Sequence, residues 1–105
     1  MNYRDRLDIT ADILSAASQN AKKTQIMYRA NLSYRVLLKY LNEVTSASLL
    51  SFDDNENRYA LTPKGKDFLL AYKEYSRTHK NFEKHRDEVR TKRKALEELC
   101  EKQII

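Results

Sequence analysis

The sequence predicts a mostly α-helical chain with one small β-hairpin, an α+β fold. Its 105 residues include one Gly and one Pro and no Trp, unlike the Gly-rich and turn-rich composition of a sheet sandwich or a nucleotide-binding fold. Apolar residues recur at helical spacing along most of the chain, and the period changes to two only between Leu50 and Leu61. A chain of this length buries a modest core, so we expect one compact unit with helix dominating.

The first helix is predicted from Arg4 to about Ser18. Its inward stripe steps by three and four residues and consists of Leu7, Ala11, Leu14 and Ala17. The polar stretch from Gln19 to Lys23 interrupts this pattern and ends the helix.

Two short helices follow. Thr24 is suited to cap the first of them, which would run to Arg29 or Ala30. A tight Asn31-Leu32-Ser33 connection comes next, with Leu32 pointing inward and Ser33 as the N-cap of a third helix. The third helix carries an apolar stripe of Leu37, Tyr40, Leu41 and Val44. This pair predicts a helix-turn-helix.

A β-hairpin is predicted after the third helix. Leu50 and Phe52 alternate with a polar residue, Tyr59 and Leu61 flank Ala60, and residues 53–58 between them are rich in turn formers. Thr62-Pro63 then predicts an N-cap followed by Pro at the first helical position, where a missing N–H costs nothing.

From Lys64 onward the sequence predicts one helix of about 40 residues. Its seam positions keep a heptad spacing and are Phe68, Tyr72, Tyr75, His79, Phe82, Arg86, Val89, Arg93, Leu96, Cys100 and Gln103. Such a seam calls for a partner helix, and its polar members can set the register. We therefore predict dimerisation through Tyr72, Tyr75, His79, Phe82, Arg86, Val89, Leu96 and Cys100. The alternative is a single charged helix that projects into solvent.

The order of elements is that of a winged helix-turn-helix, predicted over residues 1–65, followed by a coiled-coil dimerisation helix over residues 66–105. The segment Lys23 to Tyr34, continued by Leu37 to Leu41, and the junction Leu61 to Gly65 resemble a family of small archaeal winged-helix proteins. These include the chromatin-associated type of Sulfolobus. The resemblance covers about Leu7 to Val89. It implies a basic protein that binds double-stranded DNA and dimerises through an antiparallel C-terminal coiled coil.

Charge is concentrated in one segment. The net charge is +5, and residues 20–42 carry five basic and no acidic residues, so the remainder sums to zero. An excess of positive charge on one face favours an anionic partner. In a helix-turn-helix the second helix enters the major groove. The predicted DNA-binding residues are Lys22, Lys23, Arg29, Ser33, Tyr34, Arg35, Lys39, Asn42 and Arg58.

Their roles follow from side-chain chemistry. Arg35 is suited to bind guanine, Asn42 to bind adenine, and Lys39 to bind a phosphate. The residues expected to bind the DNA backbone are Lys22, Lys23 and Arg29. Tyr28 and Tyr34 are suited equally to contact with DNA and to packing within the protein, and both interpretations stay open. The resemblance implies that the hairpin, called the wing, contacts the DNA backbone. The predicted wing departs from this, because it carries three acidic residues, Asp53, Asp54 and Glu56, and a single basic residue, Arg58. Either the wing contacts DNA through Arg58 and the side-chain amides of Asn55 and Asn57, or it makes no contact with DNA.

Several function classes are excluded or disfavoured. The single Gly rules out a Gly-rich phosphate loop, the lone Cys100 rules out an internal disulfide, and His79 and His85 lack metal-ligand spacing. We expect no cofactor, no small-molecule substrate, no membrane partner and no enzymatic activity, and a cytoplasmic, nucleoid-associated location. The rival functions are a protein-interaction module on a winged-helix scaffold and a ligand-responsive repressor.

The charge pattern of the last helix also predicts the direction of the coil. A parallel pair in register would set Arg90, Lys92, Arg93 and Lys94 beside their own copies, and the following glutamates beside theirs. Like charges in close register are unfavourable. We therefore expect an antiparallel pair, in agreement with the resemblance.

Overall fold

The structure, a computed structural model, describes residues 3–101. Its elements, in chain order, are α1 (Arg6–Ala16), α2 (Lys23–Arg29), α3 (Tyr34–Ser46), β1 (Leu50–Asp53), β2 (Arg58–Leu61) and α4 (Pro63–Leu99). This confirms the predicted fold class, a winged helix-turn-helix with a long C-terminal helix. Packing groups the chain into two compact units, Met1–Tyr72 and Lys73–Ile105. The predicted boundary between residues 65 and 66 separates a DNA-binding domain from a dimerisation helix, and it stays a prediction.

The core of the first unit lies between the three short helices and β1. Its largest fully buried side chains are Ile13, Leu14, Ile26, Leu37, Val44 and Leu50. Ala21, which lies in the connection between α1 and α2, exchanges backbone hydrogen bonds of 3.0 and 2.8 Å with Tyr59 of β2. The connection therefore ties the hairpin to the helices.

α1 begins at a reciprocal cap. The Asp5 carboxylate accepts from the Asp8 backbone N–H at 2.9 Å, and the Asp8 carboxylate accepts from the Asp5 N–H at 3.0 Å. The predicted inward stripe is right at Ala11, Leu14 and Ala17 and wrong at Leu7, which is 44 % exposed. Ile13, absent from that stripe, is fully buried. The reason is that α1 packs against both α2 and α3, so its buried surface is wider than a single stripe.

α2 corrects the predicted cap. The helix begins at Lys23 with Lys22 as its N-cap, so Thr24 lies inside the first turn. Gln25 explains the earlier start, because its side-chain oxygen accepts from the Lys22 backbone N–H at 2.9 Å. A Gln at the third helical position can satisfy this N–H as in a capping box.

α3 follows the prediction. The Ser33 hydroxyl accepts from the Val36 N–H at 3.3 Å and caps the helix. Leu37, Leu41 and Val44 are buried, and Tyr40 and Leu32 are partly buried against the core. The apolar stripe therefore places the opposite side of α3 in solvent.

The hairpin pairs Leu50 with Leu61 and Asp53 with Arg58. The Asp53 carboxylate accepts from the Asn55 N–H at 2.9 Å, and its carbonyl accepts from the Asn57 N–H at 2.7 Å. Asn57 has a φ of 57°, a left-handed conformation that Asn tolerates better than most residues. One of the wing acids is therefore required by the turn itself.

α4 is joined tightly to the end of α3. The Thr62 hydroxyl donates to the Ser48 carbonyl at 2.6 Å and accepts from the Gly65 N–H at 3.0 Å, which confirms the predicted cap before Pro63. Lys64 donates to the Ala47 carbonyl at 2.7 Å. At Gly65, an added Cβ would lie 2.2 Å from the Leu49 carbonyl oxygen and 2.6 Å from Leu61 Cδ1. Only a residue without a side chain fits this approach.

The far end of α4 is shorter than predicted. The helix ends at Leu99, and Cys100 lies in a turn just beyond it. Gln103, the last predicted seam position, lies outside the described residues.

Tyr72 of α4 is bound to α1. Its hydroxyl donates a hydrogen bond to the Asp8 carboxylate, and its ring stacks on Phe68 with the ring centroids 6.4 Å apart. The hydrogen bond to Asp8, followed by burial, raises the pKa of Tyr72 to about 12. The neutral phenol is therefore the form that the folded state stabilises.

We predict that Gly65→Ala lowers the free energy of unfolding by about 1 to 3 kcal/mol, the usual cost of overpacking. The cause is the clash with Leu49 backbone, which cannot rotate away as a side chain would. Urea unfolding measures the change. Lys66→Ala, at an exposed neighbour on the same helix, is the matched control, and an equal effect of both substitutions would contradict the steric explanation.

A second prediction concerns alkaline pH. An unfolded tyrosine has a pKa near 10, below the folded value of about 12 for Tyr72. The stabilisation from Tyr72 is thus complete below pH 10 and is lost as the pH rises toward 12. The unfolding free energy of Tyr72→Phe should fall less steeply than that of the wild type over this range. Tyr28→Phe, at an exposed position, should keep the wild-type slope.

Candidate nucleic-acid interface

The outward side of α3 carries the residues predicted to contact bases. Arg35, Lys39 and Asn42 are all exposed, and at about 100° per residue they lie within roughly 60° of one another around the helix axis. The Lys39 ammonium lies 5.8 Å from the centre of the Tyr40 ring, within cation–π distance. The structure therefore brings a guanidinium, an ammonium and an amide together on one face.

The N-terminal end of α3 presents two further predicted residues. Ser33 is exposed, although its hydroxyl already caps the helix. Tyr34, the first helical residue, is 53 % exposed. Tyr28, on α2, is 78 % exposed. Neither tyrosine is therefore buried in the core, and the choice between packing and DNA contact stays a prediction.

The three basic residues of α2 and its N-cap have different surroundings. Lys22 is exposed and Lys23 is partly buried. The Arg29 guanidinium donates to the Ala16 carbonyl at 3.0 Å, at the C-terminal end of α1. A cation at this end of a helix is favourable, so Arg29 stabilises α1. Its predicted contact with the DNA backbone is a separate role.

Sequence reasoning missed a second arginine brace. Arg4 donates to the carbonyls of Ala30 and Asn31 at 2.6 and 2.8 Å and to the Asp12 carboxylate at 3.0 Å. It therefore links α1 to the turn between α2 and α3, where Asn31 has a φ of 52°. A contact across 26 residues leaves no periodic signal in the sequence.

Leu38 is also absent from the predicted set. It is 40 % exposed and lies about 60° around α3 from Arg35. An apolar side chain beside hydrogen-bonding groups is the chemistry that recognises a thymine methyl. The signal was present in the sequence, because Leu38 lies outside the Leu37, Leu41 and Val44 stripe.

The wing presents mixed charge. Arg58 donates a weak hydrogen bond of 3.4 Å to the Asn20 carbonyl, and Asp54 and Glu56 are exposed. On the helix-turn-helix itself, the nearest acid along α3 is Glu43, which forms an ion pair with Arg6 at 3.6 Å. The face of α3 with Arg35 and Lys39 is thus positively charged, and the wing is not.

The predicted seam of α4 is exposed from Tyr75 to Cys100, whereas its first members, Phe68 and Tyr72, are partly buried. Its large apolar members Tyr75, Phe82, Val89 and Leu96 are 49, 62, 53 and 65 % exposed. The Tyr75 and His79 rings stack with their centres 5.9 Å apart, and His79 lies 3.1 Å from Glu83. Arg93 forms an ion pair with Glu97 at 3.1 Å. Arg86 and Cys100 are exposed as well.

Among residues 3–101, no group of His, Cys, Asp or Glu is arranged to hold a metal ion. Within the same residues, no helix combines the length and hydropathy that a membrane span requires.

Comparison with known proteins gives the family. The profile of the winged helix-turn-helix family matches residues 3–80. The chain belongs to this family. An uncharacterised protein of the archaeon Methanocaldococcus jannaschii is 35 % identical over 75 residues, which cover 70 % of this chain and 35 % of that relative. The winged-helix chain therefore spans about a third of the length of this relative.

The fold is also found in a solved structure. Sso10a-2, a DNA-binding protein from Sulfolobus solfataricus, matches with a TM-score of 0.77 at 24 % identity, over 95 % of this chain and 100 % of that one. These matches confirm the resemblance to archaeal winged-helix proteins that the segment from Lys23 to Tyr34 indicated.

Proposed function

We propose that the protein binds double-stranded DNA with α3 in the major groove and acts as a homodimer. The observation that carries the proposal is the acid-free segment 20–42, whose Lys22, Arg35 and Lys39 are exposed on the helix-turn-helix. Positive charge on a helix that fits the major groove attracts phosphates and can read base edges. The winged-helix family and the DNA-binding protein with the same fold support the proposal.

Each residue of the interface has a role in this proposal. Arg35 and Asn42 contact bases, Leu38 contacts a thymine methyl, and Lys39 holds a phosphate. Ser33 and Tyr34 lie at the end of α3 that enters the groove first. Lys22 and Lys23 bind the DNA phosphate backbone. Arg29 binds the end of α1 and also lies beside the DNA backbone. On the wing, Arg58 is the residue that contacts a phosphate.

Binding rather than catalysis is the activity we infer, in the role of a transcriptional regulator or an architectural chromatin protein. The winged helix-turn-helix family and the DNA-binding protein with the same fold favour a binding role. The rival function, a protein-interaction module on the same scaffold, predicts no affinity for random duplex DNA at low salt. Filter binding to such a duplex separates the two.

Dimerisation is supported by the exposed seam of α4. Tyr75, Phe82, Val89 and Leu96 recur every seven residues and are about half exposed or more. Apolar residues repeated at this spacing are typical of a helix that packs against a second helix. An antiparallel pair keeps the basic residues 90–94 away from their own copies, whereas a parallel pair would bring them together.

The first prediction of this proposal separates base contacts from phosphate contacts. Arg35→Ala should weaken duplex binding by about 1 to 3 kcal/mol and reduce sequence preference. Lys22→Ala should weaken all sequences alike and lower the salt slope of binding by about one unit. Titrations of two or more duplex sequences at several salt concentrations measure both quantities. Unchanged affinity in both variants would place the DNA-binding face elsewhere.

The second prediction concerns the dimer. The double variant Phe82→Asp, Val89→Asp places two charges on the seam and should sediment as a monomer at micromolar concentration, where the wild type is a dimer. The control is Asn81→Asp, Thr91→Asp, which adds the same charge away from the seam and should remain a dimer. A wild-type protein that sediments as a monomer would contradict the proposal.

A distance measurement on the wild-type protein determines whether the two α4 helices of the dimer are parallel or antiparallel. Cys100 is unique and exposed, so a spin label on it reports one distance. A parallel coil brings the two labels within about 15 Å, whereas an antiparallel coil separates them by several turns of about 5.4 Å each. Ready formation of a disulfide between two copies of Cys100 would contradict the antiparallel arrangement.

A further inference from the structure

The second compact unit carries a row of basic residues that the proposed dimer does not use. Lys73, Arg77, Lys80 and Lys84 of α4 are all exposed. Their spacing of four, three and four residues places them within an arc of about 60° around the helix axis. We call these four residues the basic stripe. It extends over about 16 Å along the helix at 1.5 Å per residue.

The charges of the stripe are largely uncompensated. Arg77 forms an ion pair with Glu74, whereas Lys73, Lys80 and Lys84 form none with the residues that the structure describes. Glu83 lies about 100° around the axis from Lys84, and it pairs with His79 at 3.1 Å. Of the other acidic residues near the stripe, Glu74 is the partner of Arg77, and Asp87 and Glu88 come after Lys84.

The stripe and the predicted dimer seam lie on nearly opposite sides of α4. Tyr75, His79 and Phe82 are centred about 160° around the axis from the stripe. Pairing of two α4 helices along the seam therefore leaves every stripe residue exposed. The function of the stripe does not depend on whether the coil is parallel or antiparallel.

Duplex DNA fits the stripe better than other anionic partners do. The four basic residues of the stripe, spaced by about 4.5 to 6 Å along the axis, match a polyanion with regularly spaced charges. A membrane surface is bound more firmly where apolar side chains lie beside the cations, and the large apolar residues of this segment, Tyr75 and Phe82, lie on the seam side. Four charges in line also serve phosphates regardless of base sequence, because no base edge is read.

We propose that the basic stripe is a second, sequence-independent surface for the phosphate backbone of double-stranded DNA. It rests on the proposed function, since it adds phosphate contacts to a protein that binds DNA through α3. In this arrangement α3 and its flanks supply sequence preference. The stripe of α4 supplies affinity that depends on salt and not on sequence.

The test neutralises the unpaired cations and leaves the Arg77–Glu74 pair intact. In the full-length protein, Lys73→Gln, Lys80→Gln, Lys84→Gln should reduce the slope of log affinity against log salt by about 2 to 3 units. Affinity at 50 mM salt should fall by at least about 10-fold, by the same factor for every duplex sequence. Circular dichroism and sedimentation should show the same helix content and the same oligomeric state as the wild type.

The matched control is Arg90→Gln, Lys92→Gln, Lys94→Gln, which removes the same charge from positions that lie about 70 to 110° around the axis from the stripe. Its salt slope should stay within about one unit of the wild type. Equal losses in the control and the stripe variant would reduce the effect to net charge and overturn the inference.

The outcomes also distinguish the two proposals. If the wild type binds no duplex, the proposed function fails and the stripe proposal with it. If the wild type binds and Arg35→Ala weakens it while the stripe variant keeps its salt slope, only the stripe proposal is overturned. A stripe variant that loses binding to phosphatidylserine vesicles but keeps the DNA salt slope would likewise overturn it.

Discussion

Leu37, Leu41 and Val44 of α3 are almost fully withdrawn from solvent, in one core with Ile13 and Leu14 of α1. Burying side chains of this size stabilises the fold by about 1.5 to 3 kcal/mol each. Because a helix is rigid about its axis, burying one stripe also determines what the opposite side presents. Arg35, Lys39 and Asn42 face solvent for this reason, and the proposed DNA interface depends on it.

Polar side chains then hold the helices around that core at their ends. Arg29 binds the C-terminal carbonyl of Ala16, and Lys64 binds that of Ala47. Arg4 binds the turn that precedes α3. These cations satisfy carbonyl groups that a helix or turn leaves without an internal partner. Basic residues in this chain therefore have two uses, as braces within the fold and as charges available to an anion.

α4 combines two surfaces with different chemistry. Tyr75, Phe82 and Val89 recur along one side and are suited to a second helix. Lys73, Lys80 and Lys84 lie on the other side and are suited to phosphates. No residue of α4 between 73 and 99 is fully buried, so this part of the helix gains little stability from packing within the chain. Partners on one or both sides would supply that stability.

Local patterns in the sequence determined the element order, the Ser33 and Thr62 caps, the Leu37 stripe and the exposed heptads of α4, because each depends on residues three to seven positions apart. The outward positions of Arg35, Lys39 and Asn42 followed from the same periodicity. The start of α2 at Lys23 is also local, since it depends on the cap that Gln25 supplies, and the prediction missed it. Tertiary structure alone decided the burial of Ile13, the exposure of Leu7 and the roles of Arg4 and Arg29. These depend on groups distant in sequence, such as Ala16 beside Arg29 and Ala30 beside Arg4. A periodic pattern does not encode contacts of that kind, since they arise only when the folded core brings separate segments together.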